Sequence, residues 1–394
     1  MTCFSVSDGD LTIRRPVTSK IILPTCECTD VHKKSILGVL LAIAIAMAWS
    51  AFTHITQNAY VDEFRAPFFL TYLCTIWLIP FYPVYFIINH IKGGQNPRLV
   101  FRESILIYAD NDNIKKVKFM GKTFMFCFVW TLATFTYIKA SSLLGAADIT
   151  ALQATNHSFV YMLSWIVLFE KFVAIRILAL VFSITGIVLF AYVDGFGSEA
   201  MWGVVVAVAS SAGAAVYRLL MKKFVGCTTI GQTSLFLSLI GFLHTACLWP
   251  IILLLYFTNV EVIIWSSLPW QWISPSILLF TVHQILVNFV VKITYPVFTG
   301  LGLAFGIPFC AIADTIWRYK EFTGMKIAAL VLITLGLLLI LLPDNWEEVV
   351  LRPFKCKNRR ETAEPVMICL VDIINNLWTH YIIQLIRVVD FINI

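Results

Sequence analysis

Apolar residues in this chain form ten runs long enough to cross a membrane, separated by shorter polar segments. A helix needs about 20 apolar residues to cross the hydrocarbon core of a bilayer. The pattern therefore predicts ten transmembrane helices and an all-α polytopic membrane protein. The predicted spans are 35–56, 66–88, 119–138, 146–168, 175–193, 201–221, 232–257, 274–292, 295–317 and 325–342.

The composition supports this class of protein. Hydrophobic residues make up 59% of the chain and charged residues only 13%, and the mean hydropathy is +0.83. A soluble globular domain carries about twice as many charged residues, so a water-soluble fold is excluded. The net charge of +6 comes from Lys and Arg between the apolar runs rather than from one basic patch, so we predict no nucleic-acid partner.

The distribution of Lys and Arg predicts the orientation in the membrane. A cytoplasmic N-terminus leaves 24 of the 29 Lys and Arg residues on the cytoplasmic side, and the positive-inside rule then places both termini in the cytoplasm. Residues 1–34 and 343–394 become cytoplasmic tails. Polar residues recur with helical spacing over 366–394, which predicts an interfacial amphipathic helix, with an eleventh span as the alternative. We expect the protein in the plasma membrane or in the Golgi or another endomembrane.

Two segments of the chain are similar, and all their matching residues are the same number of positions apart. We call this interval, from Phe172 to Phe322, the repeat offset. Five spans per repeat would make the second copy enter the membrane from the opposite side, which predicts two inverted repeats, 35–193 and 201–342. Chance similarity between two apolar helices is the alternative. The matching residues are Phe172, Arg176, Ile177, Ala179, Leu180, Val181, Gly186 and Leu189, and Phe322, Lys326, Ile327, Ala329, Leu330, Val331, Gly336 and Leu339.

The segments that carry a family resemblance are Ser164-Trp165-Ile166-Val167-Leu168, Arg176 through Gly186, Thr294-Tyr295-Pro296 and Ile307-Pro308, together with Asp314. They resemble the drug/metabolite transporter superfamily and, within it, the F subfamily of solute carrier family 35. The resemblance covers residues 35–343 and neither tail. It implies a ten-span secondary transporter, with thiamine as the suggested substrate of near relatives and nucleotide sugars as substrates of the wider family.

Polar residues at helical spacing on two spans predict a binding cavity. Polar side chains at the middle of a membrane face protein or water, and we interpret the two stripes as walls around a solute. Hydrogen bonding that only holds the helices together is the alternative. The candidate binding residues are Gln153, Asn156, His157 and Tyr161 in span four, and His283, Gln284 and Asn288 in span eight.

The ninth span carries Gly306 and Pro308 at its centre. Proline removes a backbone donor and glycine loosens a helix, so we expect a broken helix at this point. Residue 307 is the repeat equivalent of His157, and interrupted helices at corresponding positions of two repeats mark transporter binding sites. The sequence therefore predicts a site between spans four and nine, with a proline kink that serves only packing as the alternative.

Aromatic, histidine and charged residues are further candidates for solute binding or proton coupling, but their spacing alone does not show whether they have these roles. Trp130 and Tyr137 on span three could hold a cationic solute by cation–π attraction of about 1–2 kcal/mol, or could be ordinary core residues. His157 and His283 are candidates for proton coupling because an unperturbed imidazole titrates near neutral pH. Arg218 lies close to the end of span six, where its long side chain could hold a phosphate or could extend to the headgroups.

No motif in the chain predicts catalysis. Gly121-Lys122-Thr123 lacks the glycine that a phosphate-binding loop has five residues earlier, where this chain has Lys116. We predict a secondary transporter of a small polar organic solute, with thiamine as the first candidate, working by alternating access. No cofactor or metal is expected. The expected partners are the solute and the lipid bilayer, and a homodimer is left open.

Two other functions remain compatible with the sequence. A nucleotide-sugar antiporter of the Golgi would need cationic groups at its cavity and predicts that Lys139 and Lys292 face it. A membrane protein that does not transport would bind lipid or a partner through the C-terminal tail.

Overall fold

The computed structural model of this chain is a bundle of α-helices. The predicted tail segment 1–24 and the predicted interfacial helix 366–394 lie outside the described residues. The structure describes residues 25–61, 64–93, 98, 100–101, 104, 116–169, 173–193, 195, 197–226, 228–261, 263–265, 268–289, 297–319 and 322–342.

Twelve helices have defined bounds within the described part of the chain. They are α1 (Thr25–Val61), α2 (Pro67–Ile76), α3 (Phe81–Gly93), α4 (Lys116–Ser141), α5 (Ala146–Ala154), α6 (Asn156–Leu168), α7 (Ala174–Val193), α8 (Glu199–Phe224), α9 (Ile230–Phe257), α10 (Trp270–Asn288), α11 (Val297–Arg318) and α12 (Gly324–Ile340).

Seven of the described helical segments are long and apolar enough to cross a membrane. Large hydrophobic side chains face outward from the bundle; Trp202, Phe242 and Leu254 are each 61% exposed. An apolar surface of this kind suits contact with acyl chains rather than water. The chain is therefore an all-helical polytopic membrane protein. The seven segments are Ile36–Tyr60, Pro67–Ile91, Gly121–Ser141, Ala174–Val193, Glu199–Phe224, Ile230–Phe257 and Val297–Arg318.

Three further predicted spans correspond to helices that are shorter or less apolar than these seven. They are 146–168, which contains α5 and α6, 274–292, which overlaps α10, and 325–342, which overlaps α12. Helix α1 also begins at Thr25, ten residues before the predicted first span.

Two predicted spans are interrupted. Span two is divided into α2 and α3 by a turn over residues 77–80, which ends in a proline that cannot donate a backbone hydrogen bond. Span four is divided into α5 and α6 at Thr155. Helix α5 lies at the centre of the bundle, because all nine of its residues are buried.

The broken helix predicted at Gly306 and Pro308 is wrong, because α11 is continuous from Val297 to Arg318. Pro308 is exposed, so its ring faces away from the bundle, and membrane helices tolerate such a proline through local adjustment. Gly306 is buried and brings α11 close to α5, since a Cβ at this position would lie 3.6 Å from Thr150 Cγ2. Gly306 therefore serves packing, and neither residue breaks the helix.

Helices α7 and α12 pack closely through two glycines. A Cβ on Gly186 would lie 3.2 Å from the carbonyl oxygen of Ala329. A Cβ on Gly336 would lie 2.8 Å from the carbonyl oxygen of Ala179. Small residues let helix backbones approach each other in membranes. The two contacts are reciprocal at the repeat offset, as they would be across a two-fold axis between the helices.

The segments that lead into α7 and α12 also correspond at this spacing. Helix α6 is followed by Phe169 with φ of 52°, and α11 is followed by Tyr319 with φ of 51°. A positive φ is uncommon for residues other than glycine. Helix α7 then begins at Ala174 and α12 at Gly324. A residue of positive φ and the start of the helix that follows it therefore recur in the chain at the repeat offset.

Candidate functional site

The break between α5 and α6 forms around Thr155. Its N–H donates to the carbonyl of Leu152 at 3.3 Å, and its hydroxyl donates to the same carbonyl at 2.6 Å. The Thr155 hydroxyl also lies 2.8 Å from Ser211 Oγ on α8. A threonine hydroxyl that binds a preceding carbonyl competes with the regular helix bond and bends the helix. The break places Asn156 and His157 at the start of α6.

His157 contacts a guanidinium from α8. Arg218 Nη1 lies 2.9 Å from His157 Nε2, so the imidazole nitrogen accepts the hydrogen bond and the ring is neutral in this geometry. The Arg218 side chain is half-buried and points into the bundle. Of the two roles that the sequence left open for Arg218, this geometry does not show the extension to the headgroups, and we add this residue to the candidate site.

Gln153 and Asn156 lie in the bundle interior beside this pair. Ser210 Oγ lies 3.2 Å from Gln153 Oε1 and 2.8 Å from the carbonyl of Ala133, which joins α8 to α5 and α4. Asn156 is 1% exposed, and its Oδ1 has no hydrogen-bond partner within the described part of the chain. Both residues lie where the sequence predicts polar lining.

Tyr161 lies one turn further along α6 and has a different environment. Its hydroxyl accepts from the Val173 N–H at 3.1 Å and lies 3.3 Å from the Val173 carbonyl. The Arg176 guanidinium is 5.4 Å from the centre of the Tyr161 ring. Tyr161 therefore fixes the beginning of α7 against α6.

Helix α10 contributes one residue that contacts Trp49 and two that bind each other. The His283 ring lies 4.5 Å from the Trp49 ring of α1. Gln284 Oε1 accepts from Asn288 Nδ2 at 3.0 Å. The polar atoms of Gln284 and Asn288 are thus partly used within their own helix.

Aromatic rings from α1 and α4 complete this region. Trp130 lies 5.3 Å from Tyr217 and 6.4 Å from Phe280, measured between ring centres. Tyr137 lies 4.7 Å from Trp49, and its hydroxyl is 2.7 Å from Thr53 Oγ1. We call Trp49, Trp130, His157, Arg218 and His283 the central cluster. It combines one cation, two imidazoles and two indoles supplied by five helices.

A second polar group joins the end of α1 to the end of α11. Asp314 is fully buried, and its Oδ2 accepts from the Ala147 N–H at the start of α5 at 3.0 Å. His54 Nδ1 lies 3.8 Å from the other carboxylate oxygen. Arg318 donates to Gln57 and also binds Asn58 Oδ1 at 3.0 Å. We call these residues (His54, Gln57, Asn58, Asp314 and Arg318) the Arg318 layer.

An ion pair and a cysteine contact lie next to the Arg318 layer. Lys326 Nζ on α12 is 3.3 Å from Asp148 Oδ2 on α5. Thr150 Oγ1 is 3.3 Å from Cys310 Sγ. The first half of α5 is therefore fastened to α11 and α12. The sequence analysis missed the Arg318 layer, although Asp314 and Arg318 share a helix face and His54, Gln57 and Asn58 form a polar stripe on α1.

Glu261 supplies a further capping contact in the loop after α9. Its carboxylate accepts from the Phe68 N–H at 2.6 Å and from the Phe69 N–H at 3.2 Å. These N–H groups have no partner within α2, and a carboxylate at a helix start is favoured by the helix dipole. Burial raises the pKa of Glu261, while the two N–H groups and the charge of Lys139 oppose this rise.

Comparison with known proteins gives similar solute carriers over most of the chain. Human solute carrier family 35 member F3 is 33% identical over 340 residues, which cover 84% of this chain and 80% of the relative. Mouse solute carrier family 35 member F4 is 35% identical over 345 residues, which cover 86% of this chain and 70% of the relative. These relatives are transporters and not enzymes.

A more distant similarity is to the thiamine-repressible mitochondrial transport protein THI74 of Saccharomyces cerevisiae. It is 24% identical over 341 residues, which cover 77% of this chain and 91% of the relative. No protein-family model matches the chain. One solved protein structure aligns with 77% of this chain and 94% of its own, with a TM-score of 0.46 and 17% identity.

Proposed function

The chain belongs to solute carrier family 35 and is a membrane transporter, and from this premise we propose that it is a secondary transporter of a small polar organic solute. The observation that carries this proposal is the central cluster, which places a cation and several polar atoms inside an apolar bundle. Ionisable groups at such positions in membrane proteins mark solute or ion pathways.

The proposed architecture is ten spans in two inverted repeats, 35–193 and 201–342. The reciprocal glycine contacts between α7 and α12 and the positive φ of both Phe169 and Tyr319 support it. The helix pairs support it as well, because α1 packs against α10 and α11 while α8 packs against α4, α5 and α6. In the proposed repeats, span one corresponds to span six, span three to span eight and span four to span nine. Exchanging these spans converts the contacts of α1 into the contacts of α8.

The proposed mechanism is alternating access, and the difference between the two repeats supports it. Asp314 and Cys310 of α11 contact Ala147 and Thr150 of α5 at one end of the bundle. If each of these four residues is replaced by its equivalent at the repeat offset, the contact becomes one between α6 and the first half of α11. Over their fully described lengths, these two helices make no comparable contact. Helices α5 and α11 therefore contact each other at the Arg318 layer, whereas the described residues of α6 and of the first half of α11 are not joined in this way at the equivalent position.

The proposed orientation puts both termini in the cytoplasm, so that the Arg318 layer closes the opposite side. This orientation rests on the distribution of Lys and Arg. The plasma membrane and the Golgi or another endomembrane are the proposed locations.

Thiamine is the first solute to test. The indoles of Trp49 and Trp130 could stack on its rings, and the name of the yeast relative connects that protein with thiamine. The nucleotide-sugar alternative predicted a cavity role for Lys139, but this side chain is exposed. Lys292 and the tail invoked by the third alternative lie outside the described residues.

The proposal is tested by uptake of labelled thiamine into proteoliposomes of the purified chain, with and without a proton gradient. Nucleotide sugars and nucleobases serve as competitors. Saturable uptake that only thiamine analogues block is the expected result. No saturable uptake by folded protein would overturn thiamine as the substrate.

His157→Ala tests the position of the site in the same assay. Removing the acceptor of the Arg218 hydrogen bond is expected to lower uptake at least about tenfold, equivalent to about 1.4 kcal/mol. Thr315→Ala is the matched control, because Thr315 is an exposed polar residue of α11. Wild-type uptake by the His157→Ala protein would place the solute elsewhere.

A further inference from the structure

The two carboxylate oxygens of Asp314 have different environments. Oδ2 accepts from the Ala147 N–H of α5 at 3.0 Å. Oδ1 has no hydrogen-bond partner within the described part of the chain, although His54 Nδ1 of α1 lies 3.8 Å away. This distance is too long for a hydrogen bond but short enough for an ion pair. One oxygen of a fully buried carboxylate therefore faces an imidazole nitrogen.

The two neighbours of Asp314 lie on opposite sides of a contact between helices. Helix α11 packs extensively against α1, and Arg318 adds hydrogen bonds from α11 to two polar residues of α1. The Ala147 N–H instead joins α11 to α5, at the end of the bundle that is closed in the proposed alternation. A hydrogen bond from Asp314 to His54 would stay within the α1–α11 pair, whereas the bond to Ala147 crosses to α5.

The ionised form of Asp314 suits the contact with α5. The N–H groups of the first helical turn have no partner within their helix, and the helix dipole favours a negative charge beside them. Ala147 is the second residue of α5, so its N–H is one of these groups. A hydrogen bond to a charged acceptor is about twice as strong as one to a neutral acceptor. Protonation of Asp314 therefore weakens the bond that joins α5 to α11.

The other side of Asp314 suits a proton as its ligand. A proton between Asp314 Oδ1 and His54 Nδ1 can be shared in one hydrogen bond, which is about 1 Å shorter than the present distance. Hard metal cations take several oxygen ligands, whereas the atom that faces Oδ1 is a nitrogen. Uptake of a proton would therefore pull Asp314 towards α1 and weaken its bond to α5 at the same time.

The other titratable groups around Asp314 bind further partners. On α11, Arg318 lies one turn away and binds α1, and Cys310, one turn in the other direction, donates to a serine hydroxyl of α1 at 3.1 Å. From α5 and α12, Asp148 and Lys326 pair with each other at 3.3 Å. Within the described residues of this layer, the carboxylate of Asp314 and the imidazole of α1 are therefore the pair that can share a proton.

His157 is less suited to take up a proton, although its ordinary titration makes it a candidate. Its Nε2 accepts from the Arg218 guanidinium at 2.9 Å. A proton on this nitrogen would remove the acceptor and place two positive charges side by side. Among the histidines that the structure describes, His54 is the one within ion-pair distance of a carboxylate.

We propose that His54 and Asp314 form a proton-binding site that controls the contact between α5 and α11. A proton from water on the side of the Arg318 layer binds between Asp314 Oδ1 and His54 Nδ1, Asp314 leaves the Ala147 N–H, and α5 separates from α11. Return of the proton to the same side restores the contact. The inference rests on the proposed function, because this contact is the closed end in the proposed alternation, and it adds acidity as the signal that opens that end.

The test is hydrogen exchange of the purified full chain at about pH 7.5 and about pH 5.5, on either side of the ordinary titration of an imidazole. No solute is added, and each exchange rate is divided by the intrinsic chemical rate at the same pH. The protection of residues 146–149, at the start of α5, is expected to fall at least about tenfold at the lower pH. Residues 233–241 of α9, which packs against α2, α3 and α4, should keep constant protection.

Two variants remove the partners of the proton. Asp314→Asn cannot take up the proton and is expected to leave residues 146–149 weakly protected at both pH values. His54→Gln removes the second partner, so the loss of protection at the lower pH should be smaller than in the wild type.

Glu261→Gln is the matched control for these variants. Glu261 is also a buried carboxylate that accepts from N–H groups at a helix start, but it caps α2 and not α5. The start of α5 in this variant should respond to pH as it does in the wild type. If Asp314→Asn does not fold, the comparison of the wild type with His54→Gln and Glu261→Gln decides.

Three outcomes would overturn this inference. They are equal protection of residues 146–149 at both pH values in the wild type, an unchanged pH response in Asp314→Asn or His54→Gln, and the same loss of protection when Na⁺ is added at constant pH. Because exchange is measured without solute, failed thiamine uptake would remove the proposed substrate without deciding this test. Exchange that does not depend on pH would remove the proton site and leave the uptake result unchanged.

Discussion

Glu261 shows how a side chain from a loop that is distant in the sequence can cap the start of a helix. Its two carboxylate oxygens accept from the first free N–H groups of α2, which replaces the local cap that Ala66 does not provide. The side chain is 6% exposed, so this contact is sheltered from screening by salt. Glu261 therefore links the loop after α9 to the beginning of α2.

The raised pKa of Glu261 gives a prediction about pH. In the unfolded chain this carboxyl ionises around its ordinary pKa of 4.5, whereas burial keeps it protonated to higher pH in the folded protein. As the pH rises through this window, the unfolded state releases its proton first and gains stability relative to the folded state. The melting temperature of the wild type should therefore fall relative to that of Glu261→Gln, which does not titrate.

The measurement is a pair of melting curves between pH 4 and pH 8 for the wild type and Glu261→Gln. A difference between the two melting temperatures that stays constant, or that shifts in favour of the wild type as pH rises, would contradict the raised pKa.

Individual site residues differ in how well the sequence could predict them. Gln153, Asn156 and His157 follow from helical spacing, because α5 and α6 keep these side chains inward despite the break. The direction of the Arg218 side chain could not be predicted. A residue at this distance from a helix end can point its side chain outward to the headgroups or inward to the bundle. Only the position of His157 across the bundle decides between these two directions.

At the scale of elements, apolar run length predicted most helices within a few residues, but it could not find the interruptions. At the break, the Thr155 hydroxyl binds the Leu152 carbonyl and also contacts Ser211 of α8, which is far away in the sequence. Pro308 carried the strongest local signal for a break and yet lies in a continuous helix, because its ring faces outward. Tertiary packing decides both cases.

The contact between α7 and α12 predicts an asymmetric response to two equivalent substitutions. A Cβ at Gly336 would lie 2.8 Å from a backbone oxygen, whereas a Cβ at Gly186 would first meet the Ile333 side chain. Backbone cannot move aside as a side chain can, so Gly336→Ala should destabilise the protein by about 1–3 kcal/mol. Gly186→Ala should destabilise it less.

Thermal unfolding of the two variants checks this order. Gly121→Ala in α4 is the control, since no atom lies within 4 Å of a Cβ there, and alanine should stabilise that helix by up to about 1 kcal/mol. If Gly336→Ala unfolds at the control's temperature, the two helices are less closely packed than described.

At the scale of the whole molecule, the proposed alternation predicts two mutually exclusive cross-links. Thr150→Cys places a thiol beside native Cys310, where the two side chains are now 3.3 Å apart. The contact between Ala147 and Asp314 has its repeat equivalent at Val297 and Ser164, which should approach each other only when the Arg318 layer opens. Cysteines at those two positions should therefore cross-link only in the opposite state.

The cross-linking is measured by gel mobility after treatment with an oxidant, with Ser164→Cys alone as the control. A protein that carries both pairs should form either bridge but not both. Quantitative formation of both bridges in one molecule would contradict alternation between the two ends.

The burial of α5 has a consequence for how the protein is made. Nine residues of α-helix measure only about 14 Å, less than half of the hydrocarbon thickness, so α5 cannot cross a membrane by itself. Three of the helices that enclose it, α8, α11 and α12, are synthesised after it. During biosynthesis α5 is therefore made before three of its native neighbours exist. The environment of this helix in the first half of the protein becomes complete only after α12 has been synthesised.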